Sequence, residues 1–531
     1  MLIFLISLIP LLVYLFLKSK KAIHILQQNW YNDDNRYLRF ILNHPSKCFN
    51  YDILFIIFIG GLFVANHLLS IFFGLFYIII TLIYHKQIKQ EQVKKPLAIT
   101  TRVKRLIITI TIMYLILIIT FIITFNTDYL TYYYLYLGFM AFINYFIIMT
   151  ANVINKPIEK MVALYYKTKA VNKLKSMKSL EVIGITGSYG KTSSKNILSD
   201  ILNIKYNALP TPKNFNTPLG LIITINNYLD KFNEYLIAEM GAFKKGEIKE
   251  LCDLVHPKYG ILTKIGTAHL DSFGSQENIQ VGKFELIESL PSDGVGVLNA
   301  DDSLQTNYKL KNNCKILWIG IDAKDVDVWA DNLKLTHTGT TFDVHFKGDK
   351  NAYSFTTKLL GKHNIYNILA ALALGKYFNI EITKLIAGVK KVRSIEHRLE
   401  LKKVGDINII DDAYNSNPIG SKMALDVLKM MPGKKIIVTP GMIELASREY
   451  ELNKKFGEHM VGICDEVILI GKQQTKAIYD GLIDQKYPIE HIHILNDVKD
   501  AFTLMNKLKD KETYVLLEND LPDIFNEKQV K

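Results

Sequence analysis

The stretch Thr186-Gly187-Ser188-Tyr189-Gly190-Lys191-Thr192 follows the apolar run Val182-Ile183-Gly184-Ile185. An apolar strand that turns through glycines into Gly-Lys-Thr is the pattern of a phosphate cradle. The glycines let backbone N–H groups close on a polyphosphate, the lysine reaches its outer phosphates, and the threonine hydroxyl sits on Mg²⁺. Ser193, Ser194 and Lys195 lead into Asn196-Ile197-Leu198 and Ile201-Leu202, as in a helix whose N-terminus faces the anion. The usual phosphate-loop pattern has a glycine where this chain has Ile185, so an ordinary turn is the alternative at this point.

With 531 residues the chain has room for three to four domains. Apolar residues make up 49% of it and are concentrated before residue 151. Charge is equally uneven. Residues 1–178 carry 20 Lys/Arg against 6 Asp/Glu, whereas the remainder carries 44 against 45. The overall charge of +13 therefore belongs to the N-terminal part, where it orients a membrane region and attracts anionic lipid. It is no footprint for nucleic acid on the soluble part. Cys48, Cys252, Cys314 and Cys464 are scattered, which supports neither a disulfide framework nor a zinc ribbon.

Residues 1–150 read as a membrane region of about five spans. Residues 2–17 are apolar and are followed, not preceded, by Lys18, Lys20 and Lys21, which favours an uncleaved helix over a secretory signal. Residues 53–84 suit a hairpin of two short spans or one long tilted helix, and 106–125 and 130–150 give two more. Five spans put the basic segments 18–50 and 85–105, and everything after residue 150, in the cytoplasm. No span so drawn contains an internal Asp, Glu, Lys or Arg. The cell membrane, with cytoplasmic catalytic domains, is the expected location. Residues 151–178 form a basic linker, either an amphipathic helix on the membrane surface or a solvated one.

From residue 179 to about 395, apolar runs alternate with helical stretches: Glu234–Ala238, Gly260–Leu262, Gly294–Leu298 and Lys315–Ile319. That rhythm predicts an α/β domain with a parallel sheet, ligands gathering at the strand ends. Glu239 ends one such strand, where a Mg²⁺ ligand would face the loop hydroxyl. His269 and Lys283 follow another. Each also has a plain reading, as a surface carboxylate, a loop histidine and a solvated lysine.

Taken together these stretches resemble the Mur ligases, ATP-dependent amide-forming enzymes of cell-wall peptide assembly. The resemblance is carried in order by Thr186–Thr192, Asn214-Phe215-Asn216-Thr217-Pro218-Leu219-Gly220, Glu239-Met240-Gly241-Ala242, Gly266-Thr267-Ala268-His269-Leu270, Lys283-Phe284-Glu285, Asn299–Asp302, Gly361–Asn367 and Asp411–Pro418. It spans about residues 180–525 and points to the MurF branch, the D-Ala-D-Ala adding ligases.

The resemblance implies ATP and Mg²⁺ as cofactors and an acyl-phosphate intermediate. Gly187, Ser188, Gly190, Lys191, Thr192, Ser193, Asn364, Arg398 and Asp412 are the implied nucleotide contacts. Lys191, His269 and Lys283 are the implied catalytic residues, and Thr192, Glu239, His269 and Lys283 (as a carbamate) the implied metal ligands. An ammonium at Lys283 would repel Mg²⁺, whereas a carbamate supplies an anionic oxygen.

Residues 396–531 predict a second, Rossmann-like α/β domain that closes over the nucleotide. Here the chain departs from the family. Pro440-Gly441-Met442-Ile443-Glu444-Leu445-Ala446 stands near the amine site, Leu517–Asp523 replaces a Lys-Gly-Ser-Arg motif, and membrane spans stand where the family binds its UDP-sugar. The expected partners are a carboxylate-bearing sugar-peptide or lipid-linked acceptor, an amino acid or dipeptide amine, and the membrane. Two other readings are a ligase resembling the poly-γ-glutamate synthase subunit and a nucleotide-binding scaffold of a cell-envelope complex.

Overall fold

The computed structural model describes residues 2–31, 36–63, 66–90, 96–124, 129–267, 270–413, 417–443, 445 and 448–520. The chain divides into two compact units, Met1–Tyr165 and Tyr166–Lys531.

The first unit is helical: Leu2–Gln28, Asn66–Gln90, Thr101–Thr124, Leu130–Phe142 and the start of Asn144–Ser176, with a 3₁₀ helix over Asn50–Phe63. The apolar stretch 53–84 is thus split between a 3₁₀ helix and an α-helix. At about 2.0 Å per residue the 14-residue 3₁₀ element reaches about 28 Å, close to the hydrocarbon thickness of a bilayer. Among the described residues, His67–Lys89 and Thr101–Thr120 are long and apolar enough to cross a membrane. Leu130–Phe142 and Asn144–Ser176, bent by 63°, make a third if counted as one span. The basic stretch after residue 150 is no separate element: it continues the helix that begins at Asn144, and the bend falls before it.

This unit leaves apolar faces exposed and buries a few bonded polar groups within apolar and aromatic cores. Isoleucines 108, 112, 116 and 119 recur along one exposed face of Thr101–Thr124. Inside, Lys18 Nζ lies 2.6 Å from Asp52 Oδ2 and donates to the carbonyl of Ala141 at 2.7 Å, while Tyr14 donates to Asp52 Oδ1 at 2.7 Å. Tyr134 donates to Ser70 at 2.7 Å, and Asn144 reaches Ser19 and Tyr114. Lys18 and Asp52 flank the apolar runs in the sequence, yet the fold buries them as a pair.

The second unit holds two sheets. The first comprises β1 (Glu181–Thr186), β2 (Ala208–Pro210), β3 (Tyr235–Glu239), β4 (Tyr259–Leu262), β5 (Val295–Asn299), β6 (Lys315–Gly320), β7 (Val328–Thr336), β8 (Gly339–Phe346) and β9 (Ala352–Thr357). Their order is β2-β3-β1-β4-β5-β6-β7-β8-β9. Strands up to β7 are parallel; β8 and β9 join antiparallel, so the sheet is mixed rather than parallel throughout. Alternation along β1 decides its two faces. Ile183 and Ile185 enter a core with Ile197, Leu198, Ile365 and Leu369 from the helices Lys191–Leu202 and Lys362–Tyr377. Val182 enters the opposite core with Leu221, Leu251 and Leu286. At Gly184 an added Cβ would lie 2.5 Å from Leu286 Cδ1, so glycine there lets the helix Gln276–Glu288 close on the strand.

The second sheet comprises β10 (Glu400–Val404), β11 (Ile407–Asp412), β12 (Lys434–Thr439), β13 (Glu466–Ile470), β14 (Ile492–Leu495) and β15 (Thr513–Glu518), in the order β10-β11-β15-β12-β13-β14. Only β10 runs antiparallel. Helices cover both faces: Leu425 and Leu428 lie in one core and Ala501 and Met505 in the other.

Candidate active site

The turn after β1 is built on two glycines, Gly187 at φ +149° and Gly190 at φ +81°. A Cβ at Gly187 would lie 1.9 Å from Thr263 Oγ1, which itself sits 3.1 Å and 2.6 Å from the carbonyl oxygens of Thr186 and Tyr189. The loop therefore rests on the end of β4. The Ser188 N–H donates to the Lys264 carbonyl at 2.9 Å, and the Ser188 hydroxyl to that of Gly266 at 3.2 Å. Gly190 begins the helix Lys191–Leu202 without a side-chain cap, so its first-turn N–H groups can serve an anion.

Lys191 Nζ donates to the carbonyls of Gly187 at 2.8 Å and Ser188 at 3.3 Å. Burial holds this ammonium below the usual lysine range; the Glu239 carboxylate opposes the shift and the Arg398 cation adds to it. Thr192 Oγ1 donates to Glu239 Oε1 at 3.1 Å. Ser193 is half-buried in the same helical turn.

Glu239 ends β3, beside β1 in parallel register, with Ile185 opposite it. Its side chain is 2% exposed. Besides Thr192, Oε1 accepts from Asn216 Nδ2 at 3.3 Å, and Oε2 lies 3.0 Å from Lys195 Nζ. A hydroxyl and a carboxylate at the mouth of an uncapped helix, with a lysine on the loop, are a donor set that fits a phosphate-bound hard cation.

Lys283 lies on Gln276–Glu288 at 1% exposure, donating to the Ala242 carbonyl at 3.3 Å with Phe273 beneath it. Burial, then the Lys191 charge, lowers it to about 7, against the pull of Glu247 and Glu285. Near neutral pH much of this amine is uncharged, the form that takes up CO₂. His269 lies outside the described residues.

Asn364 donates to the Leu360 carbonyl at 2.8 Å in the first turn of Lys362–Tyr377, while Asn367, one turn on, stands against Gly190. Arg398 precedes β10, and its charge reaches both sheets: it lowers Lys191 and His363 and opposes the rise of Asp412. Burial brings His363 down to about 4, so its ring is neutral at physiological pH. Burial likewise pushes Asp412 up to about 6, even with Arg398 near and the Leu399 N–H donating to Oδ1 at 3.2 Å.

The structure thus gathers the turn 187–193 with Glu239, and sets Lys283 and Arg398 within electrostatic reach of Lys191. Asp301 serves the fold instead. It accepts N–H bonds from Ile321, Asp322 and Ala323 and a hydroxyl from Tyr366, which fixes the turn after β6. Sequence reading passed over Lys195 and Thr263 as site residues. Spacing was the available signal for the first, since position 195 lies one helical turn after Lys191.

The Mur ligase middle domain matches residues 185–375, and the Mur ligase glutamate ligase domain residues 397–517. The chain is 34% identical over 279 residues to a UDP-N-acetylmuramoyl-tripeptide--D-alanyl-D-alanine ligase of Bacillus subtilis (strain 168), which is 52% of this chain and 59% of that protein. To the ligase of the same name from Escherichia coli (strain K12) it is 30% identical over 335 residues, 61% and 73% of the two chains. The structure of a MurF ligase from Thermotoga maritima in complex with ADP aligns with a TM-score of 0.59 at 25% identity, covering 67% of this chain and 80% of that one. The match therefore spans less than two thirds of the Bacillus subtilis relative.

Proposed function

The chain belongs to the Mur ligase family, and from this we propose that it forms an amide bond between a carboxylate-bearing acceptor and an amine at the expense of ATP, releasing ADP and phosphate, in the manner of the D-alanyl-D-alanine adding ligases. The observation that carries the reading is the meeting of Thr192 with Glu239 beside Lys191 at the ends of β1 and β3.

The role of each residue follows from its place. The uncapped helix N-terminus and the Lys191 ammonium take up negative charge on the outer phosphates, and charge on the transferring oxygens is what such a step must stabilise. Thr192 and Glu239 would hold Mg²⁺, which when bound neutralises phosphate oxygens. Lys283, close to neutral in charge, adds little repulsion there and, as a carbamate, would add an anionic oxygen. Arg398 brings a cation from the C-terminal domain towards the same loop, and closure of that domain would keep water from the activated carboxylate.

The helical unit supports a membrane anchor of several passes with the ligase domains in the cytoplasm. Apolar faces outside and bonded polar groups inside are what a bilayer demands of a helical bundle. An acceptor held at the membrane, a lipid-linked sugar-peptide, fits such an anchor; a UDP-linked one fits the relatives' names.

The test is ADP release by the detergent-solubilised full chain with UDP-linked and lipid-linked acceptors, crossed with amino acids and D-Ala-D-Ala. Release that needs both an acceptor and an amine is expected. ADP release indifferent to every amine would overturn the ligase reading.

A further inference from the structure

Lys195 follows Lys191 by one turn of the same helix, whose residues Ile197, Leu198 and Ile201 enter the apolar core. Its side chain is 1% exposed. Taking an ammonium out of water is unfavourable unless specific partners meet it, and an apolar side chain would serve packing better. Its partners are Glu239 Oε2, at 3.0 Å, and the main-chain carbonyl of Lys213. Lys213 adopts φ +49°, a left-handed conformation uncommon for lysine, in the loop that also supplies Asn216 to Glu239 Oε1 and Thr211 to the Glu239 N–H. One buried ammonium thus joins the phosphate-loop helix, the loop 211–217 and the end of β3.

The arrangement divides the two carboxylate oxygens. Oε2 faces the Lys195 ammonium at 3.0 Å as an ion pair without hydrogen-bond geometry, while Oε1 accepts from Asn216 and from the hydroxyl of Thr192, the other candidate ligand. We propose that Lys195 is a positioning residue: it pins Oε2 of Glu239 so that a divalent cation meets one fixed oxygen, Oε1, together with Thr192 Oγ1. This deepens the metal-site reading of Glu239 given above and rests on it. Without the pin a buried carboxylate is free to rotate, or to fold away toward Asn216, and cation binding loses its preset geometry. If Lys195 merely competed with the cation for the carboxylate, its removal would tighten metal binding.

The two readings differ in sign, and Mn²⁺ titration of the detergent-purified full chain with ADP, followed by the EPR signal of free Mn²⁺, separates them. Lys195→Met is expected to weaken Mn²⁺ at least about tenfold, with ADP affinity in EDTA held within about twofold and a lowered melting transition, since a buried carboxylate loses its ion-pair partner. In a Glu239→Gln background, already weakened, Lys195→Met should add nothing, because the lysine acts only through that carboxylate. Mn²⁺ binding unchanged or tighter in Lys195→Met, with loss in Glu239→Gln, overturns the positioning role alone. Unchanged binding in Glu239→Gln overturns the metal site and this proposal with it. Should Lys195→Met not fold, Lys195→Gln, which keeps a donor for the Lys213 carbonyl, is read by the same criteria.

Discussion

Thr192 Oγ1 and Glu239 Oε1 lie 3.1 Å apart although 47 residues separate them. The contact exists because β1 and β3 are parallel neighbours, so a turn leaving one strand meets the last residue of the other. Glu239→Gln keeps the shape and removes the charge. It should lower amine-dependent ADP release at least about 100-fold. Thr192→Ala, which removes a single hydroxyl ligand, should cost about 10–100-fold. Both are checked by steady-state ADP release over a range of Mg²⁺ concentrations, where the midpoint should rise in each variant.

Gly187→Ala should abolish nucleotide binding before it unfolds the domain. Its φ of +149° strains any side chain, and the new Cβ would displace the Thr263 hydroxyl from the Thr186 and Tyr189 carbonyls. A cost of about 1–3 kcal/mol is expected from the backbone alone. Differential scanning fluorimetry with and without ADP measures both effects: a lowered transition, and loss of the ADP-induced increase.

Lys283 makes the protein sensitive to pH through its lowered value of about 7. A lysine depressed in the folded state binds fewer protons there than when unfolded, so folding stability rises with pH from about 7 toward the unfolded value near 10.4. Below about 7 both states are charged and the burial cost is felt in full. The melting temperature of the wild type relative to Lys283→Met should therefore climb across that window and lie flat below it. In CO₂-stripped protein, reactivation at a fixed concentration of dissolved CO₂ should quicken about tenfold per pH unit up to 7 and then level off, following the neutral amine. A rate independent of pH would exclude Lys283 as the group modified.

The Lys18–Asp52 pair should matter more when broken than when replaced. Asp52→Ala strands a buried ammonium and should destabilise the helical unit by about 3–5 kcal/mol, whereas Lys18→Met with Asp52→Leu should recover most of that. Thermal unfolding in detergent, followed by circular dichroism, compares the single and double variants.

Neighbouring residues encode the local features of this protein. The turn 186–192, the helix after it and the alternation of β1 are local patterns, and the motifs that carry the family resemblance are contiguous runs. The apolar character of the first 150 residues was equally plain. Three features came only with the tertiary structure. Gly339–Thr357 adds antiparallel strands to a sheet that reads as parallel, because strand direction is set by pairing partners and not by composition. The helix Asn144–Ser176 runs through a stretch that reads as the end of a span and a separate linker, because packing carries it across the change in polarity. Buried lysines are the third case. Lys18 reads as a flanking charge and Lys195 as part of a polar helix start, since a lysine looks solvated until a carboxylate distant in sequence is brought beside it. Charge pairing across the fold is a property of contacts, and contacts between distant residues are what tertiary structure alone supplies.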